Sequence, residues 1–133
     1  MRAAPYLYFR GNCEGALAFY AACGLGRIET LTRYADSALA ARYGLEWHGK
    51  VLHAVFEGAS LRICASDGPD SEPMKGCALF LEFEHVETGR AMFELLAAGG
   101  RVTVPYERQP WGDHYGNFTD RFGVQWAILG SPQ

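Results

Sequence analysis

The feature that most constrains this 133-residue chain is a pattern that occurs twice: a short strand, a helix and then further strands. The first copy starts in the aromatic segment 6–10, and its helical pattern ends at Gly24. The second starts in the alternating segment 78–84, and its helical pattern ends at Gly99. Glycine often follows a helix because it adopts the left-handed backbone that ends one. The second copy follows the first by about 75 residues, which predicts a structural repeat.

Each helix has a predicted start and a predicted apolar side. Asn12 is expected to cap the first helix, because a short polar side chain can accept a hydrogen bond from an unpaired amide of the first turn. Glu14 would then lie where the helix dipole favours a negative charge. The second helix is expected to start at residue 87 or 88. Its predicted apolar side carries Met92, Leu95 and Leu96.

Segments with strand-like composition follow each helix. They are 27–34, 51–57 and 60–66 in the first copy and 101–104, 115–119 and 124–129 in the second. Segment 36–49 interrupts the first copy, and a short helix is predicted at 37–43 within it.

The predicted organisation is one α+β domain that spans residues 1–133. Its first βαβββ module is 1–66 and its second is 77–133. Segment 67–76 is polar and contains two prolines, so it is predicted to link the modules. Helices are expected to cover one face of each largely antiparallel sheet.

Composition excludes several classes of function. The formal net charge is −3 and the twelve basic residues are scattered, so no nucleic-acid partner is expected. No segment has the roughly 18 consecutive apolar residues that a membrane span needs. No secretory signal precedes the first strand, and the four cysteines include no C-x-x-C pair. We therefore expect a cytoplasmic protein with reduced thiols and no membrane partner.

Motifs along the whole chain resemble those of a known family. They are Pro5–Leu7, Gly11–Glu14, Ala18–Tyr20, Lys50–Ala54, Trp111–Gly116 and Thr119–Trp126. With these motifs on a doubled βαβββ layout, the chain resembles the glyoxalase/bleomycin-resistance/dioxygenase (vicinal-oxygen-chelate) superfamily, and within it the PhnB-like branch. Arg121 departs from the proline usual in the family's final turn.

The resemblance implies an open, cup-shaped, mainly antiparallel sheet with helices on its outer face. It also implies a homodimer with a small molecule as ligand. It does not decide the function, because the superfamily includes metalloenzymes and metal-free binding proteins, and one fold supports several chemistries.

The superfamily's enzymes hold a divalent metal with four side chains, typically histidine, glutamate or glutamine, on four strands. Carried over by the resemblance, these positions fall at Pro5, within 62–64, at Phe80 (or Leu79 if the register slips by one) and at Ala127. The proline, phenylalanine and alanine carry no donor of the kind that binds such metals. We therefore expect no metal and no other cofactor.

Strand alternation predicts which side chains face the open side of the cup. The predicted ligand-binding residues are Phe9, His53, Arg62, Phe80 and Gln125, with Trp111 and Tyr115 at the mouth and Glu82 as a candidate catalytic residue. Apolar walls with a few polar groups are typical of small-molecule pockets.

Three of these residues have an alternative interpretation. Glu82 would be a general base if it were desolvated without a partner, or would form an ion pair with Arg62. His53 is either a polar group of the pocket or a histidine hydrogen-bonded to a neighbour. Trp111 either stacks on a planar ligand or anchors its own loop or a dimer contact.

Two hypotheses follow for the function. The first is a metal-independent small-molecule-binding protein of the bleomycin-resistance type. The second is an isomerase, lyase or dioxygenase of the superfamily that uses a displaced metal site or Glu82 as its base. A dimeric scaffold without a ligand is a third option.

Overall fold

The computed structural model describes residues 1–132, which form two compact units, Met1–Pro73 and a second that starts at Met74. The elements of the first unit are β1 (Tyr6–Phe9), α1 (Cys13–Ala22), β2 (Arg27–Arg33), α2 (Leu45–His48), β3 (Val51–Glu57) and β4 (Arg62–Asp67). Those of the second are β5 (Leu79–Phe83), α3 (Val86–Ala97), β6 (Arg101–Arg108), β7 (His114–Thr119) and β8 (Gln125–Gly130).

The two units have the same topology. The strand orders are β1-β4-β3-β2 and β5-β8-β7-β6, so the first strand of each unit pairs with its last. That pairing is parallel and the other two pairings in each sheet are antiparallel. The predicted fold class, α+β with two βαβββ modules and open, mainly antiparallel sheets, is confirmed. No helix in residues 1–132 is long and apolar enough to cross a membrane.

The two parallel pairs also share a register. Tyr6 lies opposite Cys64 in the first unit, and Phe80 lies opposite Ala127 in the second. Tyr6 and Phe80 are 74 positions apart, whereas the glycines after the two helices are 75 apart. Tyr6, and not Pro5, is therefore the counterpart of Phe80.

This shift reverses the two faces of β1. Leu7 and Phe9 are 6% and 4% exposed and lie opposite Ala65 and Asp67, on the face that α1 covers. Tyr6 and Tyr8, which are 39% and 61% exposed, occupy the other face. The prediction that Phe9 lines a ligand site is therefore wrong: its ring belongs to the core.

Asp67 holds the start of α1 in place. Its Oδ1 accepts hydrogen bonds from the Gly11 amide (2.8 Å) and the Cys13 amide (3.0 Å), and its Oδ2 accepts one from the Val51 amide (2.9 Å). The Asn12 side chain makes no capping bond, so its predicted role is wrong. Asp67 is also the last residue of β4, although it was predicted to begin the linker.

The thiol of Cys13 is expected to make the folded chain less stable at alkaline pH. Burial is the main cause that raises the pKa of its thiol from 9.0 to about 12. Below pH 9 the folded and unfolded chains both keep this proton, whereas above it the unfolded chain loses the proton first and folding becomes less favourable. From pH 9 to pH 10 we expect this group to lower the free energy of unfolding by about 1 kcal/mol.

Urea unfolding at the two pH values measures this effect. Cys13→Ala should show a shallower loss of stability than the parent chain. Cys77→Ala, which removes an exposed thiol, should lose as much stability as the parent chain does between the two pH values. An unchanged pH slope in Cys13→Ala would contradict the assignment.

In the second unit α3 packs on all four strands. Its buried residues are Gly89, Phe93 and Leu96, and the strand face beneath it contributes Phe118, Trp126 and Ile128. Leu95, predicted on the apolar side, is 51% exposed, because the buried stripe passes through Phe93 instead.

The turn before β8 is organised by Asp120. Its Oδ1 accepts hydrogen bonds from the amides of Phe122 (2.8 Å) and Val124 (3.0 Å). Its Oδ2 accepts one from the indole Nε1 of Trp126 (2.9 Å). Gly123, at φ +89°, takes the left-handed conformation that lets the chain turn back within this loop.

Segment 36–49 is built around an aromatic cluster and not around the predicted helix at 37–43. One short 3-10 turn, Tyr34–Asp36, leads into this segment, and a second, Ala40–Arg42, lies within it and is followed by α2. The Tyr34 ring lies 4.6 Å from that of Tyr43 and 6.3 Å from that of Trp47, between centroids. The Tyr34 hydroxyl donates to the carbonyl oxygen of Asp67 at 2.6 Å, which ties the segment to the end of β4.

Candidate functional site

The face of the second sheet opposite α3 carries several predicted site residues. Phe80 lies opposite Ala127, and Glu82 lies opposite Leu129. On the other side of β8, Asn117 lies opposite Ala127 and Thr119 opposite Gln125. Because residues in register share a face, all of these side chains project from the face opposite α3. The predicted orientation of Phe80, Glu82 and Gln125 is confirmed.

A pocket of about 290 Å³ lies on this face. Its polar side chains are those of Thr103, Tyr115, Asn117, Thr119 and Gln125, and its apolar side chains include Ala78 and Ala127. Segment 76–78, just before β5, closes one side. None of the lining residues is an Asp, Glu, Lys, Arg or His, so hydrogen bonding and shape, and not charge, would select a ligand here.

Hydrogen bonds inside the pocket orient its amide groups. The Cys77 amide donates to Oε1 of Gln125 at 3.2 Å. A backbone N–H can only donate, so the Oε1 position is fixed and the Nε2 group remains as a donor. Nδ2 of Asn117 donates to the Tyr115 hydroxyl at 3.2 Å. The Asn117 Oδ1 then remains as an acceptor, and the Tyr115 hydroxyl proton remains as a donor.

The open face of the first unit is chemically different. The Tyr6 hydroxyl and the His53 Nδ1 are 3.1 Å apart, and the ring centroids of Tyr6 and Tyr8 are 5.0 Å apart. Arg62 forms a salt bridge with Glu57 at 3.2 Å, and its Nη1 lies 3.6 Å from the Cys64 Sγ. This face therefore combines aromatic rings with an ion pair and a half-buried thiol.

Some of the predicted site residues line the pocket, and others are bonded to neighbouring side chains. Gln125 and Tyr115 both line the pocket of the second unit. His53 takes the interpretation of a histidine hydrogen-bonded to a neighbour, Tyr6. Arg62 is paired with Glu57 and not with Glu82.

Glu82 and Trp111 do not have the surroundings that their predicted roles need. Glu82 is exposed, so the desolvation that would make it a general base is missing. Trp111 is 65% exposed in the turn between β6 and β7 and is not part of the pocket lining. Its alternative role at a dimer contact stays a prediction.

Asn117, Thr119 and Thr103 line the pocket but were not predicted to. Asn117 and Thr119 follow Tyr115 at the period of two that places side chains on one face of a strand. That alternation, continued along the predicted strand 115–119, was the available signal. Thr103 has no comparable signal, because β6 pairs irregularly with β7 around this residue.

The superfamily's metal positions can be compared with the residues that occupy them. Of the positions that the resemblance implies, the corrected register moves the first from Pro5 to Tyr6, which lies opposite Cys64, and Phe80 lies opposite Ala127 in the second unit. These four positions hold no imidazole and no carboxylate, and a single thiolate with a phenol does not make a divalent-metal site of the usual kind. Within residues 1–132, no three His, Cys, Asp or Glu side chains form a group that could hold a metal ion.

Two units of the same βαβββ topology, each with a helix packed on one face of its sheet, define the chain as a duplicated βαβββ protein. The chain belongs to the Glyoxalase/Bleomycin resistance protein/Dioxygenase superfamily, whose sequence model matches residues 2–128. This confirms the family that the motifs indicated.

Individual relatives agree with this assignment. The chain is 32% identical to protein YjdN of Escherichia coli strain K12, over 96% of this chain and 94% of that protein. Among solved structures, protein PA1353 of Pseudomonas aeruginosa is 32% identical, covers 100% of this chain and 99% of its own, and superposes with a TM-score of 0.88. The PhnB protein of Bacillus cereus is 23% identical over 98% of this chain and 100% of its own, with a TM-score of 0.82, and so shares the fold.

Proposed function

We propose that this protein binds a small molecule without a metal, and that the ligand occupies the pocket of the second unit. The observation that carries the proposal is the pocket itself, which joins an apolar wall to a few oriented polar groups. Such a combination is typical of small-molecule sites. Superfamily membership supports it, since the family's own description includes resistance proteins as well as enzymes.

Metal independence is supported by the residues at the family's metal positions. An oxygen-chelating mechanism needs several protein ligands and open coordination sites for the substrate. Phe80 and Ala127 supply no ligand atom, and Tyr6 is engaged with His53. The donor set therefore does not fit the metal that the family's enzymes use.

The test is a thermal-shift and calorimetric screen of the whole chain against neutral aromatic compounds, with and without a chelator. We expect at least one compound to raise the melting temperature, and its affinity to be unchanged after dialysis against EDTA. Elemental analysis of protein purified without chelators should show less than stoichiometric transition metal. A stoichiometric metal, or an affinity that EDTA abolishes, would refute the proposal.

The alternative, a superfamily enzyme that uses Glu82 as a base, rests on the position of this residue on the open face beside Leu129. Glu82 is exposed and lacks the desolvation that would strengthen a carboxylate as a base, so this arrangement favours binding over catalysis. The homodimer that the resemblance implies and the cytoplasmic location expected from the sequence stay predictions.

A further inference from the structure

Building on the proposed function, we infer that the pocket selects an uncharged planar ring that carries a lactam edge, in which an N–H donor and a carbonyl acceptor are adjacent. The inference rests on three features: the neutral lining, the oriented amides of Asn117 and Gln125, and the size of the pocket. Each feature on its own restricts which ligands the pocket can bind.

The neutral lining argues against a charged ligand. A bound carboxylate, phosphonate or ammonium group would lose much of its hydration and would meet no opposite charge among the lining residues. Transfer of an ion out of water without a counter-charge costs far more than transfer of a hydrogen-bonded neutral group. A neutral ligand avoids this cost.

The two amides leave one donor and one acceptor on neighbouring strands of the same face. The Cys77 amide fixes Gln125 so that its Nε2 is left to donate, and the contact with Tyr115 leaves Oδ1 of Asn117 to accept. Asn117 lies opposite Ala127, two residues along β8 from Gln125, so the two amides are diagonal neighbours on adjacent strands. Such neighbours have Cα atoms about 7–8 Å apart, and their side chains can reach one edge of a single ring.

A lactam edge is the complement of this pair. Its carbonyl would accept from the Gln125 Nε2, and its N–H would donate to the Asn117 Oδ1. The Tyr115 hydroxyl supplies a second donor toward the carbonyl. The apolar side chains of Ala78 and Ala127 would contact the face of the ring, and a volume of about 290 Å³ suits one or two fused rings.

The experiment uses three probes of similar size: 2-quinolone, its N-methyl derivative and 2-naphthoate. Backbone amide signals of the whole chain are followed by NMR during titration. We expect 2-quinolone to shift the signals of Asn117, Thr119 and Gln125. The N-methyl derivative, which lacks the N–H donor, should bind about tenfold more weakly, a difference of about 1.4 kcal/mol. The 2-naphthoate anion should not shift these signals.

Two variants test the roles of the amides. Gln125→Glu keeps an oxygen for the Cys77 amide but replaces the free donor with an acceptor, so its affinity for 2-quinolone should fall at least about tenfold. In Asn117→Leu, 2-quinolone and its N-methyl derivative should bind with about equal affinity, because the acceptor that distinguishes them is gone. Asn12→Asp makes the same amide-to-carboxylate change as Gln125→Glu at an exposed position and should bind as the parent chain does.

The outcomes separate this inference from the proposed function. If 2-naphthoate or the N-methyl derivative shifts the pocket signals at concentrations equal to or below those needed for 2-quinolone, the pocket binds small molecules but the lactam assignment is wrong. The lactam assignment is also wrong if Gln125→Glu and Asn12→Asp bind 2-quinolone equally well. If none of the three probes shifts these signals, the lactam assignment fails and the pocket of the second unit loses its support as the ligand site.

Discussion

Asp67→Asn is expected to lower the free energy of unfolding by about 3 kcal/mol, although it changes only one oxygen to an NH₂ group. The carboxylate is 2% exposed and accepts three backbone N–H groups. Asparagine can keep the two bonds through Oδ1, but its NH₂ group would then face the Val51 amide, donor against donor. A buried donor without an acceptor costs more than the bond it loses.

The measurement is the midpoint of urea unfolding, with Asp70→Asn as the matched control. Asp70 lies in the exposed segment after β4, so the same chemical change there should alter stability by less than about 0.5 kcal/mol. Equal midpoints for the two variants would show that the Asp67 carboxylate is not needed to join β1, α1 and β3.

Asp120→Asn is expected to cost about 2–3 kcal/mol by the same reasoning, in the second unit. The carboxylate is 4% exposed and holds the turn before β8 through two amides and the Trp126 indole. If asparagine keeps Oδ1 on the two amides, its NH₂ group faces the indole N–H. The turn and the fully buried tryptophan should therefore both lose support.

A double-mutant cycle with Trp126→Phe isolates the indole contact. Phenylalanine removes the indole N–H, so Asp120→Asn should be less damaging in that background by about 1–2 kcal/mol. Strictly additive effects would mean that the bond between Asp120 and Trp126 contributes nothing to stability.

The layout of strands and helices could be predicted because each element carries its own local signal. The alternation of residues 78–84 and the glycines after the helices are visible in the sequence, and the motifs that point to the family span the whole chain. The orientation of β1 could not be predicted in the same way. Every residue of Tyr6–Phe9 is apolar or aromatic, so alternation does not distinguish its faces, and the alignment through Pro5 was wrong by one position.

The roles of the residues that organise the fold could not be predicted, for a different reason. Asp67 resembles the first residue of a polar linker, and nothing nearby in the sequence indicates that its partners are amides of residues 11, 13 and 51. Two of the residues that line the pocket, Gln125 and Tyr115, could be predicted from the sequence. Which of their atoms remain available depends on the contacts with Cys77 and Asn117, and those contacts exist only in the folded chain.

The strand order has a consequence for synthesis on the ribosome. The strand made first in each unit joins the strand made last, so β1 has no neighbour until β4 has emerged from the exit tunnel. The carboxylate that receives the amides at the start of α1 arrives at the same moment, on the final residue of β4. A growing chain can pair β2 with β3 early, but we expect its first sheet to be completed only when β4 is available to join β1 to β3.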